Sequence, residues 1–133
     1  MDAKCDIKIA DFGLMKIFAN GNSTLETTLG TPNYMAPEIY GGKYDGEQTD
    51  IFALGVMLFM MLTCQEPFTE ASEKNKHWLR WCQDPDRVVA SRNLSISKDA
   101  INLISGMTKR DPSERLTMSS ILSHDWFQGE TAS

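Results

Sequence analysis

From Ile51 to Leu62 the chain carries no polar side chain. The run is well short of the roughly 20 apolar residues that a bilayer span requires. Asp50 precedes it, and Gln65-Glu66-Pro67 closes it soon after Cys64. An apolar stretch of this length predicts a helix buried on all sides within a soluble protein. The rest of the chain has to be read as what could surround such a helix.

Composition agrees with a packed domain. Of 133 residues, 41% are hydrophobic and 23% charged, an ordinary globular mixture that excludes disorder and collagen-like repeats. That length suits one domain. Lys+Arg is 13 against Asp+Glu 18, a formal net charge of −5, so a nucleic-acid phosphate backbone is a poor partner. Cys5, Cys64 and Cys82 are odd in number and lack C-x-x-C spacing, and neither His77 nor His124 completes a metal set with them. A reducing, cytoplasmic setting is expected. The opening residues 1–6 have neither a basic flank nor an apolar run, so no secretory signal is expected there.

Local patterns predict one short strand, one long loop and about four helices. Ile7-Lys8-Ile9-Ala10 alternates as a strand does. A long loop runs from Leu14 to about Thr31, a length usually functional or mobile in compact domains. Thr49 or Asp50 is expected to cap the apolar helix, which should run to about Cys64. A second helix is expected over 73–83, with Trp78, Leu79 and Cys82 on its apolar edge, before a break at Asp84-Pro85-Asp86. Ser97 should cap a helix over 98–109, and Thr117 a short one ending at Leu122. Trp78 and Trp81, with Arg80 between them, could stack nucleobases. The acidic balance favours a half-buried edge for packing or partner docking. Met57, Met60 and Met61 are expected to fill core.

Asp11-Phe12-Gly13 follows directly on the strand. It can be a simple Asp-x-Gly turn, or a carboxylate set at a strand end to hold Mg²⁺ against nucleotide phosphates, since Mg²⁺ favours one or two carboxylates plus phosphate oxygens. The next signal is much more specific. Gly30-Thr31-Pro32-Asn33-Tyr34-Met35-Ala36-Pro37-Glu38 fits G-T-P-x-Y-x-A-P-E at every defined position. Here the chain resembles the protein kinase family, specifically its serine/threonine branch, whose activation segment lies between D-F-G and A-P-E. Asp50-Ile51-Phe52-Ala53-Leu54-Gly55 looks like the D-x-x-x-x-G that opens the central helix of the kinase large lobe. Asp111-Pro112-Ser113-Glu114-Arg115-Leu116-Thr117 looks like the D-P-x-x-R-x-T before its last helix, with His124-Asp125-Trp126-Phe127 closing it. Phe52-Ala53 stands where Trp-Ser is commoner, and Asp125 where Pro is usual. The general run of the C-terminal motifs points to a calmodulin-dependent-like group.

The resemblance implies a mainly α fold, the large C-terminal lobe of a kinase that is α+β when intact, truncated on its N-terminal side. Residues 1–127 would be a partial kinase domain, with its activation segment at 11–38 and lobe helices over 49–127; residues 128–133 would be a tail. ATP and Mg²⁺ are the implied cofactors, with Asp11 as metal ligand beside Phe12 and Gly13. Thr31 would hydrogen-bond the catalytic Asp and a nearby Lys, marking Ser/Thr acceptors. Gly30, Pro32 and Tyr34 would shape the substrate shelf, and a protein substrate is the implied partner. Glu38 and Arg115 would form an ion pair tying the activation segment to the last helices. Asp50 would accept N–H bonds from the catalytic loop, or else act as a plain helix cap. Thr27 resembles the activation-loop phosphosite, with Thr28 and Thr24 as lesser candidates; solvated hydroxyls without a regulatory role are the other reading.

These residues contain no G-x-G-x-x-G-x-V loop, no V-A-I-K lysine and no His-Arg-Asp catalytic loop. Two readings stay open. One is the C-terminal part of a serine/threonine kinase, separated from its N-terminal lobe by truncation or gene-model error and inactive alone. The other is a stand-alone, non-catalytic lobe acting as a protein-binding or decoy module. On the first reading the apolar helix loses its covering helices and should expose an apolar patch.

Overall fold

A computed structural model describes residues 24–25 and 32–128 of the chain. The strand expected at Ile7–Ala10 and most of the expected loop lie outside them. The described part is mainly helical. Its strands are a two-residue antiparallel pair, β1 (Thr24–Leu25) and β2 (Tyr44–Asp45), with Thr24 opposite Asp45 and Leu25 opposite Tyr44.

The apolar run forms α1 (Gly46–Thr63), which begins earlier than Thr49 or Asp50 would place it. Asp45 is the cap: its Oδ1 accepts from the backbone N–H of Glu47 at 2.9 Å and of Gln48 at 3.3 Å. Thr49 lies inside the first turn and returns its hydroxyl to the Gly46 carbonyl at 2.9 Å. Cys64 stops the helix with a left-handed φ of 57° while its N–H still bonds the Met60 carbonyl. Among the described residues no helix is long and apolar enough to cross a membrane.

Helices α2 (Lys76–Gln83) and α4 (Lys98–Met107) pack on α1, and α3 (Pro85–Ser91) packs on α2 and α4. Asp84-Pro85-Asp86 therefore both breaks and starts: Asp84 accepts from Arg87 N–H at 3.0 Å, and Pro85 fills a first-turn position that needs no N–H donor. Short helices α5 (Met118–Leu122) and α6 (Asp125–Gln128) follow. Ser97 and Thr117 cap α4 and α5 as expected.

The main core is aromatic. Phe52 and Phe59 of α1 meet Trp78 and Trp81 of α2 edge-on, with centroids 5.7 and 5.4 Å apart, and Phe68 closes on Trp78 at 4.8 Å. Both tryptophans are fully buried, so neither offers a stacking face or a docking edge, whereas Cys82 is exposed. The expected apolar edge of α2 is thus rotated: Trp81, not Cys82, joins Trp78 inside. A second cluster of Ile51, Leu103, Met107 and Ile121 joins α1 to α4 and α5. Gly55 permits a close approach there, since a Cβ would lie 2.9 Å from Met107 Cβ and 2.8 Å from Thr108 Cγ2.

Helix α1 is not buried on all sides. Leu54, Met57, Met61 and Leu62 are 40–62% exposed. Two of the three methionines expected in the core, Met57 and Met61, are therefore on the surface, and only Met60 packs against the core from a partly buried position. The physical reason is coverage: a helix apolar all round needs neighbours all round, and the described elements occupy one side.

Candidate functional site

Two proline-started turns carry the segment around the A-P-E residues. Pro32–Tyr34 is a single 3-10 turn, closed by Met35 N–H on the Pro32 carbonyl at 3.3 Å. Met35 and Ala36 then enter the core in extended backbone, and Pro37–Gly41 forms a second 3-10 turn with Glu38 in its first positions. Burying Met35, Ala36 and Ile39 fixes which way Glu38 faces.

The Glu38 carboxylate meets the guanidinium of Arg115. Nη2 donates to Oε2 at 2.7 Å and Nη1 to Oε1, a bidentate fork. The arginine side chain is wholly buried, while Glu38 keeps slight solvent contact. The remaining donors are spent on backbone: Nε on the Lys109 carbonyl at 2.8 Å and Nη1 also on the Gln48 carbonyl at 3.1 Å. The guanidinium carbon lies 4.9 Å from the centre of the Phe52 ring, a cation–π distance. One side chain thus gathers the proline-rich segment, the first turn of α1 and the turn after α4.

Asp111 sets up that last turn. Its Oδ1 accepts from Ser113 N–H at 2.9 Å and from Ser113 Oγ at 2.7 Å, and these bonds hold its carboxyl below the usual range. Pro112–Glu114 makes one 3-10 turn, and Arg115 leaves it extended and pointing inward.

Pro32 is exposed and Tyr34 half-buried at the edge of the same segment. Asn33 Nδ2 donates to Glu66 Oε1 at 3.0 Å, fastening that edge to the turn after α1. Asp50 sits in the second turn of α1 with its carboxylate reaching solvent. Its pKa is raised, chiefly by desolvation from surrounding atoms and then by the like charge of Glu47. Asp50 is not the α1 cap, so that reading of it is corrected. The structure brings Glu38 and Arg115 together and leaves Pro32, Tyr34 and Asp50 accessible. Asp11, Phe12, Gly13, Thr27, Thr28, Gly30 and Thr31 lie outside the described residues. Among the described residues no cluster of three His, Cys, Asp or Glu side chains is placed to hold a metal ion.

Sequence reasoning missed the backbone partners of Arg115 and the Phe52 ring beneath it. No sequence signal marks carbonyl acceptors. Phe52 was visible only as a departure from the commoner Trp. The Asp45 cap did have a signal, because Gln48 follows three residues later in the manner of a capping box.

Residues 1–127 match the family model of the protein kinase domain. The chain belongs to the protein kinase family. A cell cycle serine/threonine-protein kinase, CDC5/MSD2, of Saccharomyces cerevisiae is 37% identical over 131 residues, 96% of this chain and 18% of that protein. An SNF-related serine/threonine-protein kinase of Homo sapiens is 39% identical over 124 residues, 92% of this chain and 15% of its own length. A probable cell cycle serine/threonine-protein kinase, a CDC5 homolog of Encephalitozoon cuniculi, is 36% identical over 126 residues, 93% of this chain and 26% of that protein. The kinase chain described here thus spans between about a seventh and a quarter of the length of these relatives. These relatives are named serine/threonine kinases, and the mainly helical architecture of the described residues is consistent with the family's large lobe. Their names speak of cell-cycle and SNF-related kinases and are silent on a calmodulin-dependent-like group.

Proposed function

We propose that this chain supplies the peptide-docking and activation-segment part of a serine/threonine protein kinase, which transfers the γ-phosphoryl group of ATP to Ser or Thr of a protein substrate. The observation that carries this reading is the buried Arg115–Glu38 fork, which pins the A-P-E segment to the first turn of α1 and the turn after α4. Phosphoryl transfer is mostly positioning and charge stabilisation, so a rigid anchor at the end of the substrate shelf is what the chemistry needs.

On this reading Pro32, Tyr34 and Gly30 shape the shelf, and Thr31 holds the acceptor hydroxyl's surroundings by bonding the catalytic Asp and Lys of the absent loop. Asp11, with Phe12 and Gly13, is the proposed Mg²⁺ position, and ATP with Mg²⁺ the proposed cofactor. The metal supplies charge neutralisation at the phosphates when bound. The accessible Asp50 carboxylate, at the start of the central helix, is suited to accept backbone N–H groups from a catalytic loop. Thr27, and less so Thr28, are the proposed phosphosites. The exposed thiols of Cys64 and Cys82 fit the proposed cytoplasmic setting.

The 133 residues contain no catalytic base, so alone they should not transfer phosphate. The test joins them to an upstream half of a related kinase carrying the Gly-rich loop, the lysine and His-Arg-Asp, and follows ³²P transfer to a Ser/Thr peptide mixture. Transfer that disappears with Asp11→Asn supports the reading. Absence of transfer in a well-folded chimera would favour the binding or decoy module, and transfer by the 133 residues alone would overturn the proposal.

A further inference from the structure

We propose that the groove between α2 and the C-terminal end of α4 docks an acidic peptide segment of a partner protein. The groove has a volume of about 850 Å³ and is walled by Lys76 and Arg80 on one side and Lys109 and Arg110 on the other. In a chain of net charge −5, four cations facing one hollow are not a product of composition. Their opposition is slight. Glu114 lines the groove, and Glu73 reaches only Arg110, at 3.3 Å with both side chains at least half exposed. Among the described residues no carboxylate is within ion-pair distance of Lys76, Arg80 or Lys109.

Fold stability does not explain this placement. Lys109 and Arg110 follow the C-terminus of α4, where cations suit the helix dipole, but Lys76 occupies the first turn of α2, where a cation opposes it. Its position serves the groove rather than the helix. Arg80 lies one turn further along the same face, and it also borders an adjoining cleft of about 380 Å³ with Arg87. Asp84 also lines that cleft, so the cationic stretch is the groove itself, whose four cations suit several residues of extended chain rather than a single anion.

The floor is rigid and partly apolar. Trp81 Nε1 donates to Thr108 Oγ1 at 2.9 Å, and Thr108 Oγ1 donates in turn to the Ile104 carbonyl at 2.8 Å, clasping α2 to α4 beneath the groove. Leu79 offers an apolar contact between the charges. Nucleic acid fits less well: Trp81 is almost fully buried and gives bases no stacking face. Charge complementarity of this kind steers association and fixes register. Neither Glu38 nor Arg115 lines the groove, although the Lys109 carbonyl reaches the Arg115 anchor at 2.8 Å, and the proposal does not depend on the kinase reading.

The probe is a fluorescein-labelled heptapeptide of five glutamates and two leucines, titrated with the 133-residue chain at 50 mM salt and read by anisotropy. Saturable binding is expected that weakens steeply with salt. Arg80→Glu with Lys109→Glu should weaken it about tenfold or more, as inverted charge complementarity does. Arg80→Lys with Lys109→Arg should retain it, and Lys98→Glu, outside the groove, should leave it unchanged. Circular dichroism verifies that each variant is folded. No saturable binding, equal binding by the folded charge-reversed variant, or equal binding of an oligothymidylate of the same charge would each overturn the proposal.

Discussion

Glu38→Gln should be among the most damaging near-isosteric changes available to this chain. It keeps the shape of the side chain and removes the charge opposite Arg115, whose side chain has no solvent exposure. Removing one partner of a buried ion pair costs about 3–5 kcal/mol because the other charge stays buried. Here the carbonyls of Lys109 and Gln48 still face the guanidinium at 2.8 and 3.1 Å, so the lower end, about 3 kcal/mol, applies. Arg115→Met should cost more. It leaves Glu38 able to turn toward water but strands two short-bonded carbonyls, each worth about 1–3 kcal/mol if left unsatisfied. The order Arg115→Met worse than Glu38→Gln, with a double variant well short of additive, is what the geometry requires. Urea titration followed by the fluorescence of the core tryptophans measures all three. A Glu38→Gln variant within about 0.5 kcal/mol of the parent would refute the reasoning, since only an exposed ion pair is worth so little.

Three further outcomes follow from other sites. Gly55→Ala should lower stability, because overpacking costs about 1–3 kcal/mol against about 1 kcal/mol gained in helix propensity, whereas Gly41→Ala, with open space around it, should be close to neutral; urea midpoints compare them. Asp50 has its folded pKa above its unfolded value, so its ionisation disfavours the fold as pH rises through that interval; Asp50→Asn should therefore raise the melting temperature at pH 7 and not at pH 3, and an equal shift at both values would contradict this. The exposed stripe of Leu54, Met57 and Met61 should bind a hydrophobic dye such as ANS, and Met57→Lys with Met61→Lys should abolish most of that signal; undiminished fluorescence would place the dye elsewhere.

Much of this structure was legible because it is encoded by chemistry that acts locally. Ser97 and Thr117 announced the starts of α4 and α5, and the defined spacing from Gly30 to Glu38 announced the family. The Glu38–Arg115 pair was expected from that resemblance, whereas its burial and its carbonyl acceptors follow only from the fold. What sequence reading got wrong was mostly a matter of who packs against whom. Periodicity along α2 put Cys82 inside because its neighbours 78 and 79 are apolar, but the aromatic rings of α1 draw in Trp81 instead. Met57 and Met61 have core chemistry and surface positions, since coverage is set by other elements and not by the residue itself. The same limit hid the cationic groove: Lys76 and Lys109 are far apart in sequence, and only the packing of α2 on α4 brings them to one hollow.

The helix starts share a property with a consequence of its own. Asp45, Asn75, Asp84, Ser97 and Thr117 each close the first turn of the helix they precede with their own side chain. Segment boundaries are thus written in single residues and not negotiated through the tertiary fold. Such a chain tolerates rearrangement of its connections: circular permutants opened in the turn between α3 and α4 should keep the same helix limits by NMR chemical shift. Evolution can then lengthen, trim or re-route the turns of this lobe, and so alter what it meets, without renegotiating where its helices begin.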